Sequence, residues 1–499
     1  LDALVLTGHV MSLNNVRQVA RDGRKVYIDP QVYEALIETR KAIYAMAEKE
    51  CPIYGFTVGV GWNKDVKVCK TFFEEYNTNL VYAHCVGISP YISDEETRAV
   101  MLTRLNTLLA NTTGVAPELA KMYADMLNAG IHPLLPERGS VGQADVGCNA
   151  FIGLAMIGEG QVRYNGSTMP AGEALRQAGL RPIVLGPKDG LCIVANNGLA
   201  AGQGAVTLYE LKEFMLMADI VYSMSLEGLG GNTSPLLPGT HKVRPYRFQV
   251  ETARRITQMI EGSYIYRPTP GKALQDPLSF RGVAQIHGSA WHAIDYTEQL
   301  LGIQLNSTDD NPCYLPELEN FFSCANYEPL VWVLGFEMLA VALSHVSKSS
   351  CLRTIKLSDP DFSGLSRFLT PNPSTICFST LQKTFAALDS EIRHLSNPSS
   401  VDGLPIAGDI EDRHTNAPYA VQRVRKILDT LRYIFAIEMM HAAQALDYRK
   451  GLPLGKVTGE AFALVREHLS FYDKDRPITP DIEAAYALIK SRKLLELLE

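Results

Sequence analysis

The sequence predicts a mainly α-helical protein, with a central bundle of long helices and a smaller, loop-rich N-terminal part. Three observations predict it. Apolar residues recur at helical spacing along most of the 499-residue chain, strand signals are sparse and short, and the loops between helical stretches hold the glycines, tyrosines and charges that stand out.

Taken in order, the first helix is expected from Ile28 to Glu48. Asp29-Pro30 offers a cap followed by proline at the first helical position, and Val32, Leu36, Ile43 and Met46 continue the apolar spacing. The same period predicts helices over 94–111, 117–129, 205–227, 283–304, 330–353, 376–396, 417–447 and 457–470. The 330–353 stretch is apolar on nearly every face as far as Ser344, so it is expected to be buried among other helices. Val66-Lys67-Val68 and Val162-Arg163-Tyr164 are the best strand candidates. No repeat, low-complexity tract or linker stands out, and the chain is divided into a loop-rich active-site part, 1–200, and a long-helix bundle with C-terminal helices, 201–499.

Composition narrows the function classes. With 46% hydrophobic and 20% charged residues the chain can bury a large core. A formal net charge of -7 argues against nucleic acid or an anionic membrane as the main partner. Nine cysteines without CxxC pairs or His-rich spacing suggest neither a disulfide framework nor a zinc site, and are expected to be buried free thiols in a reducing, cytoplasmic setting. No apolar run of the ~18 to 20 residues that span a membrane is expected, nor a charged-then-apolar leader.

The loops carry the chemistry. Gly139-Ser140-Val141-Gly142 is followed by Gln143-Ala144-Asp145 and, further on, by Gly158-Glu159-Gly160. A glycine-punctuated loop with a tyrosine at its mouth runs from Ile53 through Tyr54 to Gly61. Then come Asn79 to Gly87 with Ala83-His84, Asn196-Asn197-Gly198, Gln275-Asp276-Pro277-Leu278-Ser279-Phe280-Arg281, the run Leu305 to Pro312, and Ser399 to Asp412 with Glu411. Over roughly residues 5 to 470, this ordered set resembles the histidine and aromatic amino-acid ammonia-lyases.

The resemblance implies the ammonia-lyase fold and a homotetramer whose active sites each draw loops from three subunits. It makes Tyr54 the base that takes the substrate's β-proton, a role that requires its phenol to be lowered by positive charge or hydrogen bonds. His84 falls in the substrate-selecting segment, Asn197 in a turn that reaches the active site, and Arg281 at the clamp on the substrate carboxylate. Arginine suits that clamp because its fork pairs bidentately. Glu411 stands at the family's buried glutamate. Tyr327, in Asn326-Tyr327-Glu328-Pro329, offers an aromatic face to a cation, with a plain structural tyrosine as the alternative.

The departures from the family pattern are as informative. The family's Ala-Ser-Gly triplet cyclises into an electrophilic methylidene-imidazolone; here Gln143 and Ala144 stand in its place, and no Ala-Ser-Gly occurs in the chain. A second family tyrosine is Leu278, and the glutamine before the family glutamate is Ile410. Lys383 stands where a small apolar residue is usual. It is either a solvated helix position or an active-site cation partnered by Glu411, since an unpaired buried ammonium is costly.

A quaternary ammonium has no lone pair to give an electrophile and already carries the charge with which it leaves as a neutral amine. The expectation is therefore a carbon–nitrogen lyase with no cofactor and no metal, releasing trimethylamine from a betaine of a thio-histidine. Tyr54, Lys383 and Glu411 would be catalytic, and His84, Asn197, Arg281 and Tyr327 would bind substrate. Lys383 would stabilise charge on a thione sulphur while Glu411 holds a ring N–H. Ammonia release from histidine, another trimethylated histidine betaine as substrate, and a non-catalytic paralogue stand as alternatives.

Overall fold

Asp29 opens the first long helix as expected: its carboxylate accepts the backbone N–H groups of Gln31 and Val32, and Pro30 begins Pro30–Ala47. The computed structural model describes residues 2–49, 51–267 and 272–498. The other expected helices are Asp94–Leu108, Pro117–Ala129, Gly198–Leu229, Val283–Gln304, Leu330–Leu357, Leu381–Leu395, Ala417–Asp447 and Lys456–His468. Leu13–Ala20, Phe73–His84, Val146–Met156, Arg247–Met259 and Thr479–Ser491 are further helices that the apolar period does not single out.

The chain forms two compact units. The first comprises Leu1–Tyr209, Thr297–Phe336 and Pro398–Gln422, and the second Glu210–Tyr296, Glu337–Asn397 and Arg423–Glu499. The expected division at residue 200 falls inside the Gly198–Leu229 helix.

All the strands among the described residues lie in the first unit. Leu4–Leu6 pairs in parallel with Val26–Ile28; Ile88–Tyr91 pairs antiparallel with Pro136–Arg138. His132–Pro133, Gln161–Tyr164 and Ser167–Pro170 make a three-stranded antiparallel sheet, and Cys313–Leu315 pairs with Asn320–Phe322. Val162-Arg163-Tyr164 is therefore strand as expected. Val66-Lys67-Val68 is not; it reaches only an isolated bridge between Val58 and Lys67, because the glycine loop opposite it turns away. An aromatic and aliphatic cluster of Ile43, Met46, Ile53, Phe56, Phe73 and Phe321 forms a core in this unit, with Phe56 and Phe73 ring centroids 5.5 Å apart.

The second unit is helical among the described residues and contains buried charge. Arg353 and Glu438 pair through two hydrogen bonds of 2.6 and 2.8 Å, and Ser225 and Ser350 donate to the same carboxylate. Asp219 accepts from Arg255 at 2.9 Å and contacts His287 Nδ1 at 2.7 Å. Each of these buried charges thus has a partner, the condition under which burial is tolerated.

Two expectations are corrected here. The Leu330–Leu357 helix is not buried all round: Val331, Leu334, Met338, Val341 and Leu352 are exposed along one stripe, while Trp332, Val333, Phe336, Leu339 and Leu343 are buried. The 3-4-3 spacing of the first four residues is that of a helix–helix seam. Two helical stretches also reach the length and mean hydropathy of a membrane span, 1.2 for Asp189–Leu229 and 1.7 for Leu330–Leu357. Small Gly, Ala and Ser residues between the large apolar ones had hidden them; 94% of the first window is buried inside the protein, as in a core helix.

Candidate active site

Tyr54 sits on a turn held from below. Its neighbours Ile53 and Phe56 are anchored in the aromatic core, and the Thr57 hydroxyl accepts the Ile53 N–H at 2.7 Å. Gly55 is the residue this turn demands. Its φ of +63° suits glycine, and a Cβ there would stand 2.3 Å from Leu191 Cδ2. The backbone N–H of Gly61 donates to the Tyr54 phenol oxygen at 2.8 Å, a contact that favours the phenolate.

That contact does not decide the balance. Burial raises the Tyr54 pKa, the Gly61 N–H lowers it, and the nearby Glu411 and Tyr327 raise it again, leaving it above the ordinary phenol value. The expectation of a lowered phenol is thus corrected for the chain by itself, because its partly buried surroundings hold carboxylate and phenol oxygens. Tyr76 is close enough for Tyr54 to raise its pKa too, after burial.

The loop from Gly139 is tightly constrained. Gly142 has φ +77°, and a Cβ there would lie 2.3 Å from the Ala417 backbone nitrogen. Its carbonyl accepts from Thr415 Oγ1, and the Val141 carbonyl accepts the Thr415 and Asn416 N–H groups. Asp145, fully buried, accepts from the Ser140 hydroxyl at 2.7 Å and from the Ala200 N–H at 2.9 Å, so it caps the start of the Gly198–Leu229 helix. Burial pushes its carboxyl up to about 7 despite those donors.

Residues 142–145 do not fit a methylidene-imidazolone. The serine is absent and the triplet is one residue short. The atoms present are committed elsewhere: the Gln143 amide donates to Glu328 at 2.7 Å, and Ala144, at φ +65°, donates its N–H to Asn197 Oδ1 at 3.2 Å.

Asn197 is fully buried, and its amide nitrogen donates to the Tyr327 carbonyl at 2.7 Å. Each end of the side chain makes a hydrogen bond to backbone, which fixes the positions of Ala144 and Tyr327. Its own N–H donates to Asp309. Asp309 and Asp310 pair with the buried Arg104 at 3.1 and 3.4 Å, and Asp310 also pairs with Lys188. The Leu305 to Pro312 run, quoted above without a role, is therefore the charged footing under Asn197.

Tyr327 is half-buried, and burial raises its phenol first, then Glu411. Glu411 is exposed on a loop closed by a bridge to Ile406, where a Cβ on Gly61 would lie 3.6 Å from its Oε1. The expected burial of this glutamate is not found in the chain by itself, because its loop projects and the glycine facing it has no side chain to cover it. His84 ends the Phe73–His84 helix, two turns beyond Tyr76 on the same face. Its Nδ1 lies 2.7 Å from the Leu80 carbonyl; a carbonyl only accepts, so Nδ1 carries the proton and Nε2 of the neutral ring is left as an acceptor.

Two of the residues expected at the site, Arg281 and Lys383, belong to the second unit. Arg281 ends the short Leu278–Arg281 helix and donates through Nη1 to Gln275 at 3.0 Å, while its buried Nε has no hydrogen-bond partner. Asp276, in the same turn, is anchored by the Asn232 backbone and side chain. Lys383 is exposed near the start of Leu381–Leu395, on the face opposite the buried Leu381 and Phe385. The expected cost of burying its ammonium does not arise within its own unit. Sequence reasoning missed Gln143, Glu328 and Arg413 as members of this site. The amide at the cofactor position and an acid beside Tyr327 were the available signals. Among the described residues no cluster of three or more His, Cys, Asp and Glu could hold a metal ion, and all nine cysteines are free thiols, Cys51 and Cys69 exposed.

The chain is similar to known proteins over nearly its whole length. The family model described as aromatic amino acid lyase matches residues 11–467. Ergothionase from Treponema denticola, solved in complex with desmethyl-ergothioneine sulfonic acid, is 45% identical with a TM-score of 0.97, covering 99% of this chain and 100% of that one. Histidine ammonia-lyase from Trypanosoma cruzi is 25% identical with a TM-score of 0.91, over 99% and 95% of the two chains. A histidine ammonia-lyase of Treponema denticola is 33% identical over 499 residues, 99% of this chain and 98% of that relative. With the ammonia-lyase fold and a family profile over most of its length, the chain is a carbon–nitrogen lyase and belongs to the aromatic amino acid lyase family.

Proposed function

We propose that the enzyme eliminates trimethylamine from ergothioneine, the trimethyl betaine of 2-thiohistidine, to give thiolurocanate, and that it does so without a methylidene-imidazolone. The observation that carries this reading is the 142–145 loop, which has no serine to dehydrate and whose amides are engaged by Glu328 and Asn197. The 45% identity to an ergothionase supports it. The names of other relatives favour ammonia release from histidine as a second reading, but that reaction leaves the missing electrophile unexplained.

In the proposed reaction the Tyr54 phenolate takes the β-proton. The electron pair left on carbon forms the double bond, and the C–N bond electrons depart with nitrogen as neutral trimethylamine. While negative charge builds on the β-carbon, the thione sulphur shares it, and Lys383 is assigned the cation that stabilises it there. Glu411 accepts a ring N–H, His84 Nε2 accepts a further polar hydrogen of the substrate, and Arg281, with Nε unspent, clamps the carboxylate. The trimethylammonium brings positive charge into surroundings where burial and the Glu411 carboxylate raise Tyr54; binding it lowers the phenol toward its working range.

The assigned residues lie in two units, Lys383 and Glu411 among them are exposed in one chain, and the Leu330–Leu357 helix exposes an apolar stripe. Both observations support a homotetramer in which copies complete one another's sites. The test is direct: incubation with ergothioneine produces the absorbance of the conjugated acid, and intact mass equals the mass encoded by the sequence. A mass lower by two waters would contradict the cofactor-free reading.

A further inference from the structure

Glu328 is held from three directions. Its Oε2 accepts from Gln143 Nε2 at 2.7 Å and lies 3.4 Å from Arg413 Nε, while Oε1 accepts the Leu330 N–H at 3.1 Å, at the start of Leu330–Leu357. Each contact leads to a segment that carries the site. Gln143 precedes Ala144, whose N–H goes to Asn197; Asn197 in turn holds the carbonyl of Tyr327, the residue before Glu328. The contacts therefore close a ring: Gln143, Glu328, Tyr327, Asn197, Ala144 and back to Gln143.

A second route runs to Glu411. Arg413 is two residues beyond it, and Thr415 and Asn416 are hydrogen-bonded to Val141 and Gly142, the residues just before Gln143. The Glu411 carboxylate lies beside Gly61, whose N–H holds the Tyr54 phenol. The two arms on Glu328 differ in strength. The Gln143 arm is a short, partly buried hydrogen bond to a charge, whereas Arg413 is 61% exposed and its ion pair is screened by water.

We propose that Glu328 is a positioning residue: with Gln143 it forms a non-covalent tether that fixes Tyr327 and the Glu411 loop in register with Tyr54. It touches no reacting atom in this account. It keeps two phenols and a carboxylate from separate stretches of chain in one geometry, and small misplacements of such groups cost rate more than affinity. Part of this inference rests on the proposed elimination reaction, because its kinetic readout is that reaction.

The test uses a donor–acceptor swap in the full enzyme. Gln143→Glu sets two carboxylates against each other and breaks the tether. Adding Glu328→Gln reverses the roles, so that an amide again donates to a carboxylate. The single variant is expected to lose about 10- to 100-fold in kcat with KM within about threefold, and to show faster hydrogen exchange in segment 406–413. The double variant is expected to recover most of both losses. Unchanged kcat and exchange in Gln143→Glu, or a double variant no better than the single, overturns the tether. If the wild type releases no trimethylamine, the functional reading fails and exchange alone decides: faster exchange in the single variant and recovery in the double support the tether, and any other pattern overturns it.

Discussion

At the scale of residues, Tyr54 carries the most demanding assignment, since its surroundings in the chain oppose the charge it must bear. Tyr54→Phe is expected to leave folding and substrate binding intact while kcat falls by roughly 10² to 10⁴, read by steady-state kinetics beside circular dichroism. Because burial and Glu411 raise the phenol, the tyrosinate absorbance missing from Tyr54→Phe should appear in the free enzyme only above the ordinary pH of about 10. Glu411→Gln should move it to lower pH. Arg281 is tested by shape: Arg281→Lys and Arg281→Met should each cost about 2 to 5 kcal/mol in kcat/KM, because an ammonium cannot reproduce the bidentate fork. Recovery of most activity with lysine would remove the fork from the account. Tyr54 and Arg281 could be assigned from sequence because each stands in a local run whose spacing carries the signal. The link between Gln143 and Glu328 was not, since the partners are 185 residues apart and nothing local in either segment points to the other. Asn197 shows the same limit from the other side: its turn was legible, but not the hydrogen bonds that join its amide to the Ala144 N–H and the Tyr327 carbonyl.

Among the elements, the start of the Gly198–Leu229 helix makes a testable case. Asp145 caps it through the Ala200 N–H, and its carboxyl rises from 3.8 to about 7 through burial. A folded-state pKa above the unfolded value means that the folded protein holds a proton the unfolded chain has released. The contribution to stability is thus complete below about pH 3.8 and is lost as pH rises through about 7. Asp145→Asn can keep both hydrogen bonds and should flatten that part of the stability–pH curve, measured by denaturant unfolding at a series of pH values. An unchanged slope would place the ionisation elsewhere. Long helices such as Val283–Gln304 were legible because packing writes a 3.6-residue period into them. Leu13–Ala20 was not, since eight residues give barely two turns of pattern, and its Ser12–Asn15 capping box is a local signal without a long apolar run. In Leu330–Leu357 the apolar content was legible but the exposed stripe was not, because a face that meets another helix in the same chain and one left open in that chain have the same composition.

For the whole molecule, the proposed homotetramer assigns that stripe to an interface between copies. Leu334→Glu with Met338→Glu places charge on two exposed apolar positions of the stripe and should cost little in the stability of one chain. If the proposed tetramer uses this face, light scattering should shift to smaller species, with activity falling in step; an unchanged assembly would remove this face from the interface. The helical class and the family were legible in the sequence because they depend on patterns spread along the chain. The closeness of Tyr54, Tyr327 and Glu411 was not, as it comes from bringing three distant stretches into one unit. Central to the account is the claim that the leaving group is a tertiary amine and that no electrophile is needed to release it. One preparation, given ergothioneine in one reaction and histidine in another, with trimethylamine and ammonia both quantified, tests this most directly. Stoichiometric trimethylamine from ergothioneine and no ammonia from histidine above the no-enzyme control are expected; ammonia from histidine without trimethylamine from ergothioneine would contradict the claim.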